Sequence, residues 1–390
     1  MSVDVLILNT AVVDFRSDQF AFASEFVRPG GLVKCDVKDM PRYSQQQYQA
    51  WIEHGKVSAG GPANCAPLLA RSGFKTAVGA NLGKGDFDGF DAIGRYFYDI
   101  LAQNDVNLSG INVHPTLPTG ITYIYETGSD ERGGLCYFPN ANNDFDFGHF
   151  KDVVTNLKPK IVYYMYSGLS TKGDANGGED LAEFISRCRQ AGCITLVDSV
   201  TLASDPRELS KRQTNIKAYN LLLPVLPEVD LFFISSDEAK LIAQTFGWAK
   251  KLINNDENEN NQIILNCFAE HFWKDNRRPR IFGITTSDGA FEKHTESSDI
   301  FSEPCEIKSR FMSNDVVDLV GAGDSFRAGV LAYILKNRDR FKAKTLNWHK
   351  SINMGNLYAS LYIKAPLNDR YANILPYEDM LSKLNNCNAI

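Results

Sequence analysis

From Val316 to Phe326 the chain reads Val-Val-Asp-Leu-Val-Gly-Ala-Gly-Asp-Ser-Phe, and this stretch concentrates the residue types that could do chemistry. The β-branched run predicts a strand and the Gly-Ala-Gly a tight turn. The spacing of Phe326, Val330, Tyr333 and Ile334 predicts a helix with one buried face. The turn then stands at a helix N-terminus, where amides lack intrahelical acceptors and the dipole is positive, so the place favours an anion. Gly321 and Gly323, on either side of Ala322, let the backbone approach it closely. Asp324 falls in the first turn, where a carboxylate is stabilised and could take a proton from a hydroxyl. Amides that hold a phosphoryl group beside a base for its acceptor are the parts a phosphotransferase needs. The plainer reading is a turn with an acidic N-cap.

Three further stretches offer polar groups. The apolar run Val3 to Val13 ends at Asp14 and predicts a buried parallel strand with a carboxylate at its C-terminal end, the edge where ligands of open α/β sheets gather. A loop-capping aspartate is the alternative. Gly60-Gly61-Pro62-Ala63-Asn64 opens a helix, with glycines that free backbone amides and an asparagine that both donates and accepts. Ser235-Ser236-Asp237-Glu238 opens another, where Glu238 by itself reads as an acid stabilising its helix.

Together these stretches resemble the ribokinase-like (PfkB) carbohydrate kinases. Asp318, two variable residues and Gly-Ala-Gly-Asp-Ser-Phe resemble the C-terminal signature, and Gly60 to Asn64 the N-terminal one, about 260 residues earlier. The resemblance covers Asp14 to about Pro366. It implies an α/β fold, a three-layer core with helices on both faces of a mostly parallel sheet, and a small β lid. It implies transfer of the γ-phosphate of ATP to a hydroxyl of a sugar, or, in nucleoside kinases of the same family, of a nucleoside. Asp324 would be the base, and Gly321, Ala322 and Gly323 the anion hole. Asp14, Gly60, Gly61 and Asn64 would hold the acceptor. Glu238 would organise Mg2+ through water, in a motif where Ser235 replaces the usual asparagine. Thr285, Gly289 and Asn356, with Ser235, Gly321 and Gly323, would meet the nucleotide. Asp318 would fix the turn, with room for a monovalent cation, potassium, beside it. A non-catalytic sugar-binding protein on the same fold is a third reading.

The elements that must position these groups follow from the hydrophobic pattern. Strands Ile161 to Tyr166, Ile194 to Asp198 and Val229 to Ile234 alternate with helices Glu179 to Gln190, Glu208 to Leu223 and Asp237 to Phe246, which implies βαβ units and a parallel sheet. Gly120 to Tyr125 and Leu135 to Phe138, joined by a turn from Gly128 to Gly134, read as an antiparallel hairpin. Lid strands are expected within 15–55 and 119–138 of a single domain spanning 1–390. Residues 15–55 carry Phe15, Phe20, Phe22 and Phe26 and could form part of the lid, a homodimer interface or a stacking surface for a base. The polar stretch 250–262, rich in Asn and Glu, predicts a solvated surface loop.

Composition narrows the partners. A formal charge of −6 argues against a nucleic-acid polymer, whose phosphates require clustered Lys and Arg. No apolar run reaches membrane-spanning length. The eight cysteines form no CxxC pair and fit reduced thiols, so a cytoplasmic protein is expected. The first residues, Ser2 to Leu8, lack a basic segment and predict a first strand rather than a signal peptide.

Overall fold

The alternating patterns build a mostly parallel sheet in the computed structural model, which describes residues 2–126, 133–253, 256–273, 277–312 and 315–386. In chain order the strands are β1 (Val5–Leu8), β2 (Val12–Ser17), β3 (Leu32–Lys34), β4 (Lys56–Gly60), β5 (Thr76–Gly79), β6 (Asn81–Phe87), β7 (Asn112–His114) and β8 (Gly120–Tyr125). There follow β9 (Leu135–Phe138), β10 (Ile161–Ser167), β11 (Ile194–Ser199), β12 (Leu231–Ser235), β13 (Ile281–Thr286), β14 (Gly289–His294) and β15 (Cys305–Lys308). The large sheet has the order β15-β14-β13-β12-β11-β10-β1-β5; β5 to β13 run parallel, and β14 and β15 close one edge antiparallel.

Two apolar cores flank this sheet, because successive side chains of a strand leave on opposite faces. Val5, Ile7, Tyr163 and Phe233 enter one core, and Leu6, Leu8, Tyr164 and Phe232 the other. Helices cover both faces. The helix Ala322–Lys336 is buried continuously from Asp324 to Ile334, and it packs against Trp348–Ile363. The expected single buried face is therefore a helix enclosed nearly all round.

A second sheet, β3-β9-β8-β2-β4, lies beside the first. The chain passes between the sheets at Asn9 and Thr10, both with positive φ (80° and 49°). This break splits the predicted strand Val3 to Val13. Asp14 thus belongs to β2 of the small sheet rather than to the end of a parallel strand of the large one. The hairpin β8–β9 pairs antiparallel as expected, and most of its turn, 127–132, lies outside the described residues.

Three other expectations change. Residues 316–320 form no strand: Val316, Val317 and Leu319 are exposed, and the amides of Val317 and Asp318 instead reach the carbonyl of Ile363 at 2.8 and 3.2 Å. The helix expected from Glu208 to Leu223 is broken into Pro206–Lys211, a 3-10 turn at Lys217–Leu221 and a short Leu222–Val225 helix. The polar stretch expected as a loop is helical from Glu257, capped by Asp256, whose carboxylate accepts from the Glu259 amide at 2.9 Å. That helix runs to Phe272 because Ile264, Leu265 and Phe268 bury its far end. Asn254 and Asn255 lie outside the described residues.

Candidate active site

A cavity of 350 Å³ opens between the two sheets, and Asp14, Gly61, Asn64, Ser235, Glu238, Thr285 and the turn Gly321 to Asp324 all line it. Gly321 has φ 86° and starts the helix; a Cβ there would fall 2.8 Å from Cγ of Asn64, so only glycine fits both the conformation and the space. The Ala322 amide is committed to the Leu319 carbonyl at 3.2 Å, which leaves the amides of Gly321 and Gly323, flanking it, for an anion.

The Asp324 carboxylate is buried and held on both oxygens. Its Oδ2 accepts from Asn64 Nδ2 at 2.9 Å and from the Tyr166 hydroxyl; its Oδ1 lies 3.2 Å from Nη1 of Arg327. Asn64 is itself fixed, since its Oδ1 accepts from the Tyr362 hydroxyl at 2.6 Å. Arg327 also reaches Oδ2 of Asp198 at 3.2 Å and donates to the Phe233 carbonyl at 2.8 Å. One guanidinium therefore stands between two buried carboxylates. Burial pushes Asp198 up to about 7 against the opposing pull of Arg327. Arg327 stays charged: burial opposes its charge, and Tyr163, Asp198, Asp324 and Glu238 outweigh it.

Asp14 faces the same cavity from β2, in register with Ser58 of β4 and Thr122 of β8. Burial pushes its carboxyl up to about 6; Arg16 and a hydrogen bond from Thr122 pull the other way, and Asp318 and Asp324 add to the rise. Gly60 does not line the cavity. It makes room for Asp14, because a Cβ there would fall 2.7 Å from Oδ2 of Asp14. Gly61, at φ 58°, lies so close to the Thr10 carbonyl that a Cβ would overlap it.

Asp318 is not available to a cation from solution. Arg16 Nη2 of the small sheet meets its Oδ2 at 2.7 Å, and Nη1 of Arg370 lies 3.7 Å from the same oxygen. Arg370 Nη2 also donates to the carbonyls of Asp318 (3.3 Å) and Val320 (2.9 Å), while its guanidinium lies 4.1 Å from the Tyr362 ring. The oxygens that a potassium ion would need already surround an arginine, so the residues do not fit the monovalent cation expected here.

The nucleotide-side expectations divide. Ser235 and Glu238 form a capping box: the Ser235 amide donates to Oε2 of Glu238 at 2.8 Å and the Glu238 amide to Oγ of Ser235 at 3.3 Å. Thr201 donates to the other carboxylate oxygen at 3.2 Å. Glu238 therefore stabilises its helix and also lines the cavity. Among the described residues no cluster of three metal-ligating side chains occurs. Thr285 lines the cavity, but Gly289 does not; a Cβ on Gly289 would strike the Ile307 carbonyl, which explains the glycine by strand packing. Asn356 is buried in Trp348–Ile363 away from the cavity.

The aromatic insert does not face the cavity either. Phe15, Phe20, Tyr43, Tyr48, Trp51 and Tyr123 pack on one another, with ring centroids 4.6 Å apart for Tyr43 and Trp51 and 4.9 Å for Phe20 and Tyr123. They occupy the face of the small sheet opposite Val12 and Asp14, so they offer no platform for a base. The side of the cavity near Asp14 is instead walled by Val12, Leu32, Leu135, Tyr137, Leu169 and Val200.

Tyr166, Asp198, Arg327, Tyr362, Arg16 and Arg370 complete the site and were not singled out in the sequence. Tyr166 carries one trace of its role: it has φ 57° at a register shift of β10, with its amide held by Oδ1 of Asp198 at 2.5 Å.

A family model described as pfkB family carbohydrate kinase matches residues 40–266 and 301–368. A probable chloroplastic fructokinase-6 of Arabidopsis thaliana is 25% identical over 285 residues, 72% of this chain, and the match spans 62% of that relative's length. Among solved structures, a probable sugar kinase from Rhizobium etli CFN 42 superposes with TM-score 0.66 at 19% identity over the whole of both chains. Adenosine kinase of Anopheles gambiae gives 0.65 at 20% identity, over 93% of this chain and 96% of its own. Fructokinase of Xylella fastidiosa, solved with ATP, gives 0.66 at 17% identity over 99% of each. These likenesses establish the three-layer fold expected from the sequence, and with the match to most of its length, the chain belongs to the pfkB family of carbohydrate kinases.

Proposed function

We propose that this chain is an ATP-dependent sugar kinase that transfers the γ-phosphate to a hydroxyl of a carbohydrate. The observation that carries the reading is Asp324: a buried carboxylate in the first turn of a helix whose leading residues, Gly321 to Gly323, line the same cavity. The acceptor hydroxyl gives its proton to Asp324 as its oxygen bonds to the phosphorus, the bridging P–O bond to ADP breaks, and ADP leaves. The amides of Gly321 and Gly323 stabilise charge on the phosphoryl group, and Asn64 and Arg327 keep the carboxylate aligned. Magnesium, when bound with ATP, would neutralise phosphate charge; Glu238, on the cavity wall, would hold it through water. Asp14 accepts hydroxyls of the sugar, and the small sheet acts as the lid that keeps water from the phosphoryl group.

One observation favours a nucleoside as acceptor. The wall of Val12, Leu32, Leu135, Tyr137, Leu169 and Val200 suits a flat apolar group better than a ring of hydroxyls. A screen of sugars and nucleosides for ATP-dependent ADP release tests both readings. Turnover on a sugar supports the first and turnover on a nucleoside alone the second. Release on neither contradicts the kinase reading.

A further inference from the structure

Two thiols that the phosphoryl-transfer chemistry does not use lie 3.0 Å apart on neighbouring strands of the small sheet: Sγ of Cys35, just past the end of β3, and Sγ of Cys136 in β9. Their juxtaposition follows from the register. Val33 is the partner of Cys136, and Cys35 comes two residues later with its amide on the Tyr137 carbonyl at 2.7 Å, so both thiols leave on the same face. A disulfide bond is ~2.0 Å long, so closing this pair asks for a movement of about 1 Å, within reach of side-chain rotation. We propose that Cys35 and Cys136 form a reversible disulfide that fixes the wall of the acceptor pocket.

The position gives the bond a consequence. Leu135 and Tyr137 on either side of Cys136, and Leu32 of β3, line the cavity on the opposite face. A covalent tie between β3 and β9 holds those three side chains in one arrangement. Access for an oxidant follows from the topology: β3 is an edge strand of only three residues, and Cys35 is at its end, where local opening costs least. Cys35, past the end of the edge strand and 7% exposed where Cys136 is fully buried, is the attacking sulfur. The hydrogen bond with Cys136 holds its thiol below the ordinary range, and the same bond, with burial, pushes Cys136 up. With a small disulfide such as glutathione disulfide, the Cys35 thiolate attacks one sulfur and releases one thiolate. Cys136 then loses its proton, attacks Cys35 and releases the second, so the protein dithiol is oxidised and the small disulfide is reduced to two thiols.

The test treats the full-length protein with glutathione disulfide, alkylates remaining thiols and maps the peptides, with exposed Cys305 as the internal control. The expected result is a linked Cys35–Cys136 pair that dithiothreitol reverses, while Cys136→Ser leaves Cys35 as a mixed disulfide. Alkylatable Cys35 and Cys136 after Cys305 has fully reacted, or a lasting mixed disulfide on Cys35 in the unsubstituted protein, would overturn it. The peptide map of the unsubstituted protein depends neither on the kinase reading nor on folding of the variant. With an acceptor in hand, oxidation is expected to shift its KM severalfold in the unsubstituted protein and not in Cys136→Ser. A linked pair with unchanged KM would refute the effect on the pocket.

Discussion

The hydroxyl of Tyr166 donates to Oδ2 of Asp324, the same oxygen that accepts from Asn64 at 2.9 Å. A carboxylate oxygen has two lone pairs in its plane, and both are then taken. An acceptor hydroxyl that uses Oδ2 has to displace the phenol. Tyr166→Phe is therefore expected to lower the acceptor KM by about threefold to tenfold, the effect of removing a competing bond worth about 1 kcal/mol, with kcat retained. Steady-state kinetics separate this from a positioning role, which would lower kcat at unchanged KM.

If Asp14 holds the acceptor as proposed, acceptor binding depends on pH. Its carboxyl is pushed up to about 6, chiefly by burial, so its neutral form is the one the fold favours. Its contribution to stability is full below the ordinary aspartate range and is lost as pH rises through about 6. Binding of sugar hydroxyls needs the ionised form, so the acceptor KM should fall as pH rises through that value. Asp14→Asn should abolish this limb of the KM profile and raise the melting temperature at pH 8, against a gain on the order of 2–3 kcal/mol. A KM limb that survives the substitution would assign it to another group.

Arg370 is the cation of the turn before Gly321, so activity should not depend on potassium. Rates in sodium and potassium buffers are expected to agree, and Arg370→Met, which leaves Asp318 with Arg16 alone and takes the donor from two carbonyls, should cost about 1–3 kcal/mol in denaturant titrations. Activation by potassium of the unsubstituted protein would contradict this assignment.

Glu238 caps its helix, and the role proposed for it at magnesium can be separated from that by one substitution. Gln at the same position can keep the capping box with Ser235, so Glu238→Gln should leave the melting temperature nearly unchanged. Loss of the charge should raise the magnesium concentration needed for half-maximal rate. An unchanged magnesium requirement would leave Glu238 as a helix cap alone.

What could be read from the sequence was local. Gly60 to Asn64 and Gly321 to Asp324 are contiguous stretches whose residue types carry their own backbone requirements, and Gly61 and Asn64 of the first meet the second at the cavity. The contacts that hold the site together join residues far apart in the chain, such as Tyr166 with Asp324 and Arg16 with Asp318, and no spacing announces them. Arg327 stands one turn beyond Asp324, off the single apolar face that the spacing predicts, and its partner Asp198 reads only as a strand end. Propensity failed where tertiary structure decided. The β-branched run Val316 to Val320 has no neighbouring strand to pair with. The turn falls at Asn9 and Thr10, the two polar residues between Leu8 and Ala11, a short break masked by the apolar runs on either side of it. The Asn- and Glu-rich stretch after Asp256 is drawn into a helix by the apolar residues that follow it.

The role of Asp324 is tested most directly by kinetics of Asp324→Asn with an acceptor identified by the screen, beside equilibrium binding of ATP. Removal of a general base predicts a fall in kcat of about 10²–10⁴ while ATP affinity is unchanged. Retention of more than about a tenth of kcat, well above what loss of a general base allows, would contradict the assignment of Asp324 as the group that deprotonates the acceptor.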